Sequence, residues 1–152
     1  MPDAFFLRRN NLYPKFVLNH CGAVSTDTMH RMKFNDGVDA ENILLSYYNS
    51  VSFAFTEICG RSYGSGVLEI LPGEMGNILI PIIKDIDKKL RKNLLKNIDE
   101  IIRQGNDIEL ALDLVDKKLL VDVLGIKPDI CKQCRIIWKK LQSRRLKRNF
   151  RN

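Results

Sequence analysis

Gly60-Arg61-Ser62-Tyr63-Gly64-Ser65-Gly66 places a cation, two flanking hydroxyls and an aromatic ring on a short glycine-rich turn. Such a turn suits contacts to phosphate and to a groove edge. It equally suits a plain helix-to-strand connection whose glycines take positive backbone angles. Arg31 and Lys33 share one face of an alternating segment, residues 29–34, and lie about 7 Å apart at strand geometry. That spacing follows a phosphate backbone or reaches a base edge, although an ordinary solvated strand face has the same pattern. His30, Met32 and Phe34 take the opposite face, where a histidine is usually a satisfied core or edge residue. Residues 139–151 hold seven cations in thirteen positions and no acid, among them Lys139, Lys140, Arg144, Arg145 and Arg151. Neutralising phosphates is the chemistry of such a run, with a solvated helix end or a surface for an acidic partner as the alternatives.

Other reactive side chains assemble less. Cys131 and Cys134 form one Cys-x-x-Cys, but a structural zinc site needs further ligands in the same rhythm, and Cys21, His20 and Cys59 do not supply it. Both thiols share a helical face with Trp138 and Leu141, which makes them core filler, so no metal site is expected. His20 and His30 fall in expected strands or turns and give no Ser-His-acid arrangement. No catalytic residue is expected within this chain.

The elements that must position these groups differ in grain along the sequence. Up to about residue 84 the pattern is mixed. Phe16-Val17-Leu18 and residues 29–34 read as strands, and Asn35-Asp36-Gly37 as a turn. Asp39 is placed to cap a helix whose stripe runs through Ile43, Leu44, Tyr47 and Tyr48, with Val38 and Ile43 at staple positions. Asn49-Ser50 breaks it before a second piece carrying Val51, Phe55 and Ile58, and Val67-Leu68-Glu69-Ile70 reads as a buried strand. From residue 85 the chain is helical. Ile86, Leu90, Leu94, Ile98, Ile101 and Ile102 form one stripe ended by Gly105. Asn106 and Glu109 have capping-box spacing for a helix through Leu112, Val115, Leu119 and Val123, with Leu110, Leu114, Val121 and Leu124 as a second apolar face. Pro128 fits the first turn of a third helix. The expectation is an α+β chain, a mixed α/β lobe over 1–84 followed by a helical hairpin or three-helix segment over 85–152 with a basic end.

The chain has 152 residues, 45% hydrophobic and 28% charged, which excludes disorder, and its apolar runs are too short to cross a membrane. Phe5-Phe6-Leu7 is followed at once by Arg8 and Arg9, so no secretory core segment is read and a cytoplasmic location is expected. The net charge is +7, yet residues 127–152 hold ten Lys or Arg against Asp129 alone, a local +9 that leaves −2 for the rest. Basicity confined to one end points to a polyanion contact there.

Several motifs occur in a telling order: Ser25-Thr26-Asp27-Thr28-Met29-His30-Arg31, Leu45-Ser46-Tyr47-Tyr48-Asn49-Ser50, the 60–66 turn continuing through Val67-Leu68-Glu69-Ile70, then Pro72, Glu74 and Leu79-Ile80-Pro81. Over residues 16–84 this set resembles the C-terminal target-recognition region of adenine-specific, amino-group DNA methyltransferases of restriction-modification systems. It is also similar to the recognition domains of type I specificity subunits. The resemblance implies a lobe that grips duplex DNA while a separate catalytic domain takes one adenine out of the stack. Arg31, Lys33, Arg61, Ser62, Tyr63, Ser65, Lys139, Lys140, Arg144 and Arg145 become the expected DNA contacts. If relatives that read different sequences share the 60–66 loop, it positions the duplex and does not read bases.

Such enzymes use an Asn-Pro-Pro-Tyr or close variant at the flipped base and a strand-to-helix glycine turn for S-adenosylmethionine. No proline here follows Asn, Asp or another proline, and Gly64 and Gly66 lead into a strand. The cofactor and the chemistry are therefore expected in a catalytic methyltransferase domain or subunit absent from this chain. Two arrangements fit: a fragment of a longer methyltransferase, or a separately encoded specificity subunit whose helices over 85–148 dock the catalytic partner or a second copy. A helical protein-interaction module is the reading from a different class.

Overall fold

Ala4-Phe5-Phe6-Leu7 forms β1 (Ala4–Leu7), the central strand of an antiparallel sheet in the computed structural model, which describes residues 1–148. Its neighbours are β3 (Phe16–Leu18) and β4 (Met29–Met32), with Phe5 opposite both Val17 and Arg31. The sequence signalled the flanking strands but not β1. A strand covered on both sides reads as a short apolar run without alternation. β4 stops at Met32, before the expected Phe34, because Asp3 diverts the chain: its carboxylate accepts the Phe34 amide and pairs with Lys33.

A second antiparallel sheet has the order β2 (Arg9–Asn10), β6 (Leu68–Glu69), β5 (Arg61–Ser62). The two sheets are tied through Ile70, whose amide donates to the Arg8 carbonyl and whose own carbonyl accepts His30 Nε2–H at 2.6 Å. His30 is thus a satisfied edge histidine. That role depends on a partner forty residues away.

α1 (Ala40–Tyr47) starts where Asp39 accepts the Glu41 and Asn42 amides, and α2 (Ser50–Cys59) starts where Asn49 accepts the Ser52 amide. The first cap was legible; Asn49 reads only as part of a break. The buried face of α2 was not legible. Phe53, Ala54, Thr56 and Glu57 point inward, whereas Ile58 is exposed and Val51 and Phe55 are half-buried. Ser52 and Thr56 are admitted to the core because their hydroxyls donate to the Ser46 and Ser52 carbonyls. A single turn, α3 (Pro72–Met75), follows the second sheet.

α4 (Lys88–Arg103) buries Leu94 and Ile98 from the expected stripe. α5 (Glu109–Val115) is opened by Asp107, which accepts the Glu109 amide. Asn106, expected as the cap, instead bonds Gln104. α5 runs into a π-helical turn, Asp116–Val121, and Leu119 and Leu120 are buried there. The anticipated second apolar face is divided: Leu114 and Val121 pack against the core, whereas Leu110 and Leu124 remain exposed. Pro128 begins α6 (Pro128–Lys147), which lies along α2 with Trp138 edge-on to Phe53 at 5.2 Å. One continuous core therefore runs across residue 84. The result is an α+β fold, and no helix among the described residues is long and apolar enough to cross a membrane.

Candidate nucleic-acid interface

β5 and β6 form a hairpin that carries the 60–66 motif. The Tyr63 amide donates to Val67 and the Gly66 amide to Tyr63, and Gly66 closes the turn at φ +78°, a conformation that favours glycine. Gly60 answers a different need. A Cβ there would meet Ile70 Cδ1 at 2.5 Å and Leu68 Cδ1 at 2.7 Å, so any larger residue would force these two buried side chains to shift where α2 ends against β6. Arg61, Ser62 and Ser65 are exposed, and Tyr63 is 47% exposed. Arg61 donates through Nε to Glu74, which also accepts the Leu71 amide. That backbone bond first, and the Arg61 pair second, hold the Glu74 carboxyl below its ordinary range.

Arg9 adds a cation that sequence reasoning passed over. In the second sheet Glu69 lies opposite Arg9 on one side and Arg61 on the other, so both arginines share the face of that buried carboxylate. Strands of two residues carry no periodicity that would have shown it. Arg31 and Lys33 stand elsewhere, on the first sheet. Arg31 is exposed opposite Phe5, and Lys33 Nζ lies 2.8 Å from Asp3. They do not join the hairpin in one cluster.

α6 sorts the basic segment by side. Arg135 bonds Ser50, Glu109, Asp113 and Asp116, and Lys139 pairs with Glu109 at 3.2 Å while lying over the Trp138 ring. Arg145, expected as a DNA contact, is corrected: it is 2% exposed and its guanidinium is held by Glu57 and by the Asn11 and Gly66 carbonyls, leaving nothing for a phosphate. Burial raises the Glu57 carboxyl above its usual value, with the Arg145 contacts opposing the rise. Lys140, Arg144 and Lys147 are exposed, and among the described residues no carboxylate lies within ion-pair distance of them. At these positions they line one side of the helix along a shallow groove of about 550 Å³ with Ile136 and Ser143. Arg151 lies outside the described residues.

The 45–50 motif contributes no surface. Ser46 donates to Asn42 and accepts the Ile83 amide; Tyr47 bonds Thr56; Tyr48 both donates to and accepts from the Phe16 backbone. Ser50 donates to Asp116, whose carboxyl is raised by burial, with the Ser50 and Arg135 bonds opposing. Sequence reasoning missed this hub of Ser50, Asp116 and Arg135, which joins α2, the π turn and α6. Cys131 and Cys134 sit on the inner side of α6, and burial pushes the Cys131 thiol up to about 11, unsuited to a reactive thiolate.

The turn holding Gly64 and Gly66 joins two strands. It is therefore not itself a strand-to-helix glycine turn of the kind the resemblance associates with S-adenosylmethionine. A family model describing the C-terminal domain of the type II methyltransferase M.Eco57I matches residues 1–120. No curated protein and no solved structure matches the chain.

Proposed function

Since the chain belongs to the family of the type II methyltransferase M.Eco57I C-terminal domain, we propose that it is the duplex-gripping, target-recognition part of a restriction-modification adenine methyltransferase. The observation that carries this reading is the sorting of cations on α6: Arg135, Lys139 and Arg145 are paired with carboxylates, whereas Lys140, Arg144 and Lys147 are exposed without such partners among the described residues. A helix side of that kind gains most by replacing counterions on a phosphate backbone. The hairpin then supplies Arg61, Ser62, Tyr63 and Ser65, with Arg9 beside it, for phosphate and groove contacts. Arg31 and Lys33 form a separate cationic edge. Methyl transfer from S-adenosylmethionine belongs to a catalytic domain or subunit outside this chain, acting in the cytoplasm on a base taken out of the stack.

A second reading, docking of the catalytic partner or of another copy through the helices, is favoured by Leu110, Ile136 and Ile137, which stay exposed on α5 and α6. Fluorescence anisotropy of the chain on a random-sequence duplex, titrated across salt, separates the two. Duplex gripping gives a log-log slope of about −4 or steeper. A flat response contradicts it and leaves the helices as a docking surface.

A further inference from the structure

The C-terminal half of α6 reaches back to two loops. Gln142 donates to the Leu12 carbonyl, and Arg145 Nη1 donates to the carbonyls of Asn11 and Gly66 at 2.5 and 2.6 Å. Nη2 of the same guanidinium lies 2.7 Å from Glu57, and the two side chains are 1% and 3% exposed. Burying such a pair strips water from both ions, and well-packed apolar residues often stabilise a core as well. What an apolar pair lacks is a directed hold on two loop carbonyls. One of those carbonyls belongs to Gly66, the residue that closes the hairpin turn bearing Tyr63 and Ser65.

We infer that Arg145 is the positioning residue of the β5–β6 hairpin: it fixes the Gly66 end of the turn to α6, so that Arg61, Tyr63 and Ser65 meet the duplex already ordered. This assignment rests on the duplex-gripping reading above. Its physical basis is that a loop ordered in advance loses less entropy on binding. The brace comes from a helix beyond residues 1–120, the part that the family model matches.

Arg145→Lys retains the charge, but its shorter side chain lacks the planar fork that places Nη1 on both carbonyls and Nη2 on the carboxylate at once. In the full chain this variant binds a random-sequence duplex about tenfold more weakly, because the hairpin has then to be ordered on binding. Hydrogen exchange at the Tyr63 and Gly66 amides speeds up about tenfold, while the Phe53 amide inside α2 keeps its protection. Glu57→Gln, which retains shape and removes the carboxylate charge, shifts the same hairpin amides in the same direction and decides the matter if Arg145→Lys does not fold. Wild-type affinity and hairpin protection in Arg145→Lys would overturn the assignment. Equal loss of protection in α2 and the hairpin overturns it too, by making its role general. Were the wild-type chain to bind no duplex, the duplex-gripping reading would fall, and the exchange pattern would still decide whether Arg145 holds the hairpin.

Discussion

Residues 45–50 and 60–66 are built from the same kinds of side chain, hydroxyls and tyrosines, and the fold uses them in opposite ways. In the first, each polar side chain is buried and bonded to another part of the protein; in the second, Ser62, Tyr63 and Ser65 face solvent on a hairpin. Both motifs contribute to the resemblance to recognition regions. The difference teaches that a motif typical of a family can be the polar filling of a helix junction, while contact with a ligand falls to groups whose hydrogen-bonding capacity the fold has left free.

If that contrast is right, substitutions at the junction lower stability and substitutions at the hairpin lower binding. The largest effect is expected for Asp116→Ala, which strands the Ser50 amide and hydroxyl and removes a carboxylate from the mostly buried Arg135; chemical denaturation reads a loss of about 3 kcal/mol. Tyr48→Phe leaves the Phe16 amide and carbonyl without their partner and costs about 1–2 kcal/mol by the same measurement. Neither changes the salt slope of duplex binding in protein that is folded. The double variant Arg61→Ala/Tyr63→Ala behaves the other way: its denaturation midpoint moves little, because the Arg61–Glu74 pair it loses is solvent-exposed, and its duplex affinity falls about tenfold. A double variant that unfolds early but binds normally would erase the contrast.

The smallest effect is one of pH, and it has opposite sign in the two regions. Glu74, beside the hairpin, titrates below the usual 4.5, so its stabilising contribution is present above that value and is lost as pH falls through the depressed folded value. Burial raises Asp116 above the usual 3.8, so its contribution is fully present below 3.8 and is lost as pH rises through the raised folded value. Stability measured against pH should therefore lose part of its acid-side decline in Glu74→Gln. In Asp116→Asn it should lose an opposing component that favours acid. Curves of unchanged shape in both variants would contradict these signs.

Helix starts were legible where the signal is local: Asp39 and Pro128 mark α1 and α6, and the break read at Asn49-Ser50 is the start of α2, with Asn49 as its cap. Where two candidates stood side by side the reading slipped, choosing Asn106 over Asp107. The inward face of α2 was misread because its buried positions include Ser52, Thr56 and Glu57, polar groups admitted by bonds that a hydropathy pattern does not show. The 60–66 turn was visible in its glycines, but as a helix-to-strand connection; the two-residue strand β5 that makes it a hairpin was not anticipated. Arg145 was not visible, since one cation among the cluster at residues 139–151 looks like its neighbours until Glu57, 88 residues earlier, is seen to face it. Tertiary partners, and not residue type, separate the cations that hold the fold from those left for a ligand.

The most direct test of the central claim compares salt dependence in the wild-type chain and in Lys140→Ala/Arg144→Ala/Lys147→Ala, with circular dichroism confirming that the variant keeps its helices. If these side chains replace counterions on a duplex, the magnitude of the log-log slope drops by about 2–3. An unchanged slope would show that the outer side of α6 does not touch phosphate, and would contradict the account.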